Sequence, residues 1–209
     1  MWSVAEGKKV HFSKGNLVAT YDYSGTPSGW NFAENQYDCV GSVDNGKIDL
    51  FCWSTDAENN NWGFLHYKGY IPAYVAGDFK DWGQNIGDGN TWRTLSADEW
   101  TYLLSTRNVN GGSGPNKSYS LEITYGGKKG LVIYPDDYSG DAISGTVTEL
   151  PDGVVFLPAA GYSMQGEITK SNEHAYYWTS SYTPNENQHA VVIQFTTGMT
   201  SNFVERMMG

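Results

Sequence analysis

The chain has 209 residues, a formal charge of −10, and a composition that is 15% aromatic but only 17% charged. With 39% hydrophobic residues and 25 Gly it has the apolar content of a folded globular protein, which rules out disorder as its dominant state. The acidic balance, with no basic cluster beyond Lys8-Lys9 and Lys128-Lys129, argues against nucleic acid and anionic membranes as partners, since phosphate binding needs a Lys/Arg surface.

Ser, Thr and Asn together make up 50 residues, so the surface is polar through neutral hydrogen-bonding groups, which suits an extracellular or cell-surface protein. No apolar run reaches the roughly 18 residues that span a membrane. Met1 to Lys9 lacks the apolar stretch of a secretory signal, which fits either another export route or a chain that starts after signal removal. Two cysteines, Cys39 and Cys52, are too few for a disulfide scaffold or a Cys-rich zinc site. A buried free thiol is the plain reading for each, and a single bridge is the alternative.

In chain order, Val10 to Phe12 and Gly15 to Tyr21 predict an early hairpin or paired strands, and Ser24 to Gly29 a turn. Trp30-Asn31-Phe32 resumes a strand with alternate aromatics. Residues 33–40 predict a short helix closed by Gly41. Ser54 to Thr91 shows no sustained period and predicts a long irregular insertion, in which Trp62, Tyr67, Tyr70 and Trp82 read as a satellite hydrophobic cluster.

Ser96-Ala97-Asp98-Glu99 is a capping box, followed by Trp100, Leu103 and Leu104 on one apolar face and by Arg107 in the last turn. Residues 119–125 and 131–134 predict a hairpin around Gly126 to Gly130. Val154 to Leu157 reads as a buried central strand, and residues 176–182 and 190–195 as two more. Trp92, Trp100, Phe156 and Trp178 are expected in the core. No repeat or linker divides the chain, which predicts one α+β domain over residues 1–209.

The order of these motifs resembles a known family. Phe12 to Leu17, Trp30 to Asp38, Ile48 to Phe51, Trp92 to Trp100, Pro135-Asp136-Asp137, Val155 to Tyr162 and Tyr177 to Ser181 are similar to the major paralogous surface and secreted proteins of gut Bacteroidetes and Fibrobacter. The resemblance covers nearly the whole chain. It implies a C-type-lectin-like fold of the formylglycine-generating-enzyme branch, with mixed antiparallel sheets, two short helices and long irregular loops. It also implies an exposed ligand face on the C-terminal strands and loops, as in relatives that serve as adhesion, diversified display or bacteriophage receptor-binding proteins. Tyr182, Asn185, Asn187, Gln188, His189, Thr200, Asn202, Phe203, Glu205 and Arg206 occupy that face. Family members close with a further strand of the pattern Ser-Val-Arg-Leu-Val, which this chain lacks, so its last strand is expected to be absent, replaced or completed by a neighbour.

The enzymes of that branch use a C-terminal cysteine pair, and no Cys follows residue 52, so no enzymatic activity is expected. Asp136-Asp137 with Asp141 has neither a calcium-loop spacing nor side chains on one strand face, and reads as a turn and cap after Pro135. Pro184-Asn185-Glu186-Asn187 has the residue types of a lectin calcium triplet without its order. His11, His66, His174 and His189 are too dispersed to suggest a metal site. The expectation is therefore a non-enzymatic recognition domain without metal or cofactor. Its expected ligand is a glycan or protein, with a homo-oligomer or a last strand completed by a neighbour as the expected form of assembly. A structural subunit of a surface appendage or phage particle is the alternative.

Overall fold

The computed structural model describes residues 1–21, 27–40, 46–51, 53, 79–87, 91–115, 121–164, 167–182, 189–195 and 199–205; for residues 163, 164, 189 and 199–205 this means the backbone alone. The described chain is a mixed α+β structure, mostly antiparallel, with one short α-helix.

β1 (Trp2–Ala5) and β2 (Lys8–Val10) form a first hairpin, so Val10 pairs with Trp2 and not with the strand that follows. β3 (Leu17–Tyr21) lies between β4 (Pro27–Phe32) and β5 (Lys47–Ile48). The helix expected over residues 33–40 is absent, and turns stand in its place. The Asp38 carboxylate accepts from Asn35 N at 2.9 Å and Asn35 Nδ2 at 3.2 Å, and this side-chain bonding competes with a helical ladder.

The capping box forms as predicted, with Glu99 N donating to Ser96 Oγ and Ser96 N to Glu99 Oε2. It opens α1 (Ala97–Thr101), which widens at once into a π-helical turn over Tyr102–Thr106. Leu103 and Leu104 are fully buried there, and Arg107 ends the turn by donating from Nε to the Leu103 carbonyl at 2.7 Å.

β6 (Ile123–Tyr125) and β7 (Lys128–Ile133) form the predicted hairpin, but its turn is the two residues Gly126-Gly127 and not the five expected, because Lys128, Lys129 and Gly130 already pair with β6. Both glycines have positive φ, at 57° and 77°, which a two-residue type I′ turn requires. β8 (Gly145–Val147) joins β6 in parallel, and β9 (Val155–Pro158) joins β7, giving the order β8-β6-β7-β9. β9 is thus a marginal strand of its sheet, although it is buried as expected. Gln36 covers its free edge, accepting from Phe156 N and donating to the Val154 carbonyl at 3.3 Å.

β10 (Tyr162–Met164) pairs with β11 (Glu167–Thr169). β12 (Ala175–Tyr182), β13 (His189–Phe195) and β14 (Met199–Glu205) form the last sheet. The chain thus supplies a third strand to this sheet itself, in register with β13 from His189↔Glu205 to Phe195↔Met199.

Three apolar clusters hold these pieces together. The first joins Trp2 and Val4 of β1, Trp100 of α1, Leu131 and Ile133 of β7, and Phe195 of β13. The second surrounds Trp53 and Trp82, and the third gathers Ile123 of β6, Val132 of β7 and Phe156 of β9 with Val109 and Tyr134.

Candidate binding cavity

Between the first two clusters lies a cavity of about 630 Å³, within the range of small-ligand sites. Its walls come from segments far apart in sequence: the loop after β2, the end of β4, residues 49–51, the 3₁₀ turn Trp82–Asn85, residues 91–95, α1 and β12.

Phe, Tyr and Trp rings are a large part of the wall. Phe32 and Trp92 meet edge to face at 4.6 Å, Phe51 and Trp82 tilt together at 5.8 Å, and Tyr162 meets Tyr176 at 5.2 Å. Trp100 lies 6.3 Å from Phe12 and 6.2 Å from Tyr177. Trp178 is pinned by an Nε1 bond of 2.7 Å to the Phe51 carbonyl. A side chain at Gly83 would strike the Trp92 carbonyl, so glycine there lets the 3₁₀ turn close against the neighbouring segment. Of the four aromatics expected in the core, Trp100 and Phe156 are fully buried, whereas Trp92 and Trp178 are half-buried on this wall.

The charged groups of the wall are bound to protein partners. Arg93 forms a two-pronged bond to Glu99 at 2.6 and 2.8 Å, and Lys8 adds a third contact at 2.7 Å. Burial by itself would raise the Glu99 carboxyl, but these bonds and the one from Ser96 N outweigh it and hold the group at about 2. Asp81 accepts from Gly83 N, Thr94 N and Thr94 Oγ1 at 2.7–3.0 Å. Lys9 pairs with Asp136 at 3.0 Å.

Asp49 differs. Its Oδ2 accepts from Val40 N at 2.9 Å, while Oδ1 is buried with no hydrogen-bond partner among the described residues. Burial pushes this carboxyl up to about 7, against the lowering effect of the Val40 bond. The Cys39 thiol close by is free and is pushed up to about 12, first by burial and then by the Asp49 charge, which makes it a poor nucleophile.

The residues expected at a ligand face lie elsewhere. Tyr182 ends β12 half-buried, its ring 5.6 Å from Trp53 in the second cluster. His189 pairs with Glu205, Val191 with Phe203, Val192 with Asn202 and Gln194 with Thr200, which places five of the predicted positions on two adjacent strands. Asn185, Asn187, Gln188 and Arg206 lie outside the described residues, as do Cys52, Trp62, Tyr67 and Tyr70. Trp82 is buried in the second cluster, with Ala19, Ile48, Phe51, Trp53 and Ala190.

Asp136 was expected to serve as a turn and cap after Pro135; its carboxylate instead bonds over long range, accepting from Ser3 N, Ser3 Oγ, Lys9 and Arg107. Asp49 was not singled out from the sequence. The available signal was a lone carboxylate inside the apolar run Ile48-Asp49-Leu50-Phe51.

No family model, curated protein or solved structure matches the chain. The geometry of the cavity therefore carries the functional argument.

Proposed function

We propose that the protein is a non-enzymatic recognition domain of C-type-lectin-like fold, secreted or displayed at a surface, and that its ligand is a glycan bound in the aromatic cavity. The observation that carries this reading is the wall itself, where flat aromatic faces stand beside charged groups already engaged with one another. Such faces stack on the apolar side of a sugar ring and exclude water. The paired Arg93, Glu99, Lys8 and Asp81 stiffen the rim without presenting a reactive group. The low-charge surface rich in Ser, Thr and Asn supports an extracellular setting.

A glycan array tests the reading with three proteins: wild type, Ala160→Phe, which fills the cavity, and Tyr182→Ala/Asn187→Ala/Phe203→Ala, which strips the C-terminal face. Loss of binding in Ala160→Phe alone is expected. Loss in the triple variant alone moves the site to the C-terminal strands, and binding retained in Ala160→Phe overturns the cavity.

A second reading, a structural subunit of a surface appendage or phage particle, draws on β14. Among the described strands this seven-residue element is paired on one side only, as an edge open to a neighbouring chain. Light scattering that grows with concentration favours assembly, and a constant monomer mass removes it.

A further inference from the structure

The lysines and the arginine of the cavity wall are engaged, Lys8 and Arg93 by Glu99 and Lys9 by Asp136. Three half-buried polar side chains on the same wall are not. The Asn16 amide, the Trp92 indole N–H and the Tyr162 phenol have no hydrogen-bond partner among the described residues, and none of their polar atoms is sealed from solvent. The exposed His11 imidazole is a fourth open group.

Each of the three is carried by fixed neighbours. The Asn16 carbonyl accepts from Ala33 N at 2.8 Å, and Ser13 Oγ closes the preceding turn on the Gly15 carbonyl at 2.8 Å. Asn16 immediately precedes Leu17, the partner of Phe32 across β3 and β4, and the Phe32 ring meets Trp92 at 4.6 Å. Tyr162 packs on Tyr176 at 5.2 Å. Tyr176 is pinned in turn, its hydroxyl accepting from Gln194 Nε2 at 2.8 Å and lying 3.0 Å from His174 Nδ1. Groups held by such neighbours lose little freedom when a ligand arrives.

The chemistry of the open groups selects a ligand. An amide and a phenol each donate and accept, and an indole N–H donates. A sugar hydroxyl both donates and accepts, so it answers all three, while the sugar ring offers an apolar face to Phe32 and Trp92. A wholly apolar ligand would take the same groups out of water unpaired. An acidic sugar would bring its charge to a wall whose lysines and arginine already face carboxylates.

Resting on the reading that the cavity is the glycan site, we propose that it takes an uncharged oligosaccharide whose hydroxyls bond to the Asn16 amide, the Trp92 N–H and the Tyr162 phenol. These three groups set the specificity, and the aromatic wall supplies the stacking surface.

The test is isothermal titration calorimetry with neutral trisaccharides (maltotriose, cellotriose, mannotriose and triacetylchitotriose) and with the acidic trigalacturonate. The uncharged apolar dye N-phenyl-1-naphthylamine is titrated alongside, read by its own fluorescence. The proteins are wild type, Asn16→Ala, Trp92→Phe, which keeps a ring and removes the N–H, and Tyr162→Phe, which removes the hydroxyl alone. Asn16→Leu, Trp92→Leu or Tyr162→Leu replaces any of these that fails to fold. Ala160→Phe is the blocked control, with Leu17→Trp in its place if that chain does not fold, and thermal melting checks every variant.

The expected result is saturable binding of a neutral trisaccharide, abolished by the block and weakened at least about threefold by each of the three substitutions, the order of one net hydrogen bond. A smaller loss in any of the three overturns the anchoring while leaving the cavity reading intact. Blockable binding of only trigalacturonate or the dye overturns the ligand class alone. Binding of no probe, or binding indifferent to the block, removes the cavity reading and this inference with it.

Discussion

Arg107 meets Asp136 through Nη1 at 2.9 Å, with only 2% of the arginine side chain exposed. The same guanidinium donates to the carbonyls of Leu103 at 2.7 Å and Tyr134 at 2.7 Å, so one side chain closes the π-helical turn, the end of β7 and the Asp136 turn together. Removing one partner of a buried pair leaves the other charge uncompensated, at a cost of about 3–5 kcal/mol. Arg107→Ala is expected to lose that much in urea denaturation. Arg107→Lys should recover only part of it, because an ammonium cannot present the planar fork that reaches three acceptors. A loss below about 1 kcal/mol in the alanine variant would show that the pair contributes little.

Acid should weaken the fold through Glu99. The group is held at about 2 in the folded protein against 4.5 for an unperturbed Glu. A lowered carboxyl contributes stability that is complete above the unfolded value and is lost as pH falls through the folded one. The Asp136 carboxyl, also held well below its usual range by Ser3, Lys9 and Arg107 against the effect of burial, acts in the same direction. Stability should therefore fall between about pH 4.5 and 2, and Glu99→Gln should show a shallower fall from a lower starting value. An identical pH slope in the variant would remove Glu99 from this account.

Asp49 has the opposite sign. Its carboxyl stands at about 7 when folded against 3.8 unperturbed, so between those values the folded state holds a proton that the unfolded state has released. Stability from this group falls as pH rises from about 4 to 7 and is lowest above 7. Asp49→Asn, which keeps the bond from Val40 N, is expected to raise the melting temperature relative to wild type more at pH 8 than at pH 5. An equal difference at both values would mean that the carboxyl is not raised.

Gln36 closes the free edge of β9 with a side-chain amide that both donates and accepts. Gln36→Ala leaves the Phe156 N–H and the Val154 carbonyl to find other partners at a buried edge. The expected cost is about 1–3 kcal/mol, read from the urea midpoint with an unchanged slope. An unchanged midpoint would show that water replaces the amide at no cost.

The parts of this architecture that could be read from sequence are those whose signals are local. The Ser96 to Glu99 box specifies a backbone geometry within four residues and formed as read, while the glycine-rich turn after Tyr125 formed in the expected place with two residues instead of five. Residues 33–40 misled because Asn35 and Asp38 have helix-compatible spacing, yet their side chains bond to each other and to the backbone instead. The position of β9 at a sheet margin was hidden because Gln36, 120 residues away in sequence, supplies what a neighbouring strand would. The cavity was illegible for the same reason. Trp92, Trp100 and Trp178 were recognised as parts of motifs, but nothing in their spacing says that all three line a shared space or that Asp49 lies on its wall.

The first hairpin is latched at two distant places, through Lys8 to Glu99 and through Ser3 and Lys9 to Asp136. Neither latch is local: β1 and β2 pair with each other through near neighbours but are held to the rest of the fold by contacts that close loops of 91 and 133 residues, and Trp2 and Val4 are covered by side chains as distant as Phe195.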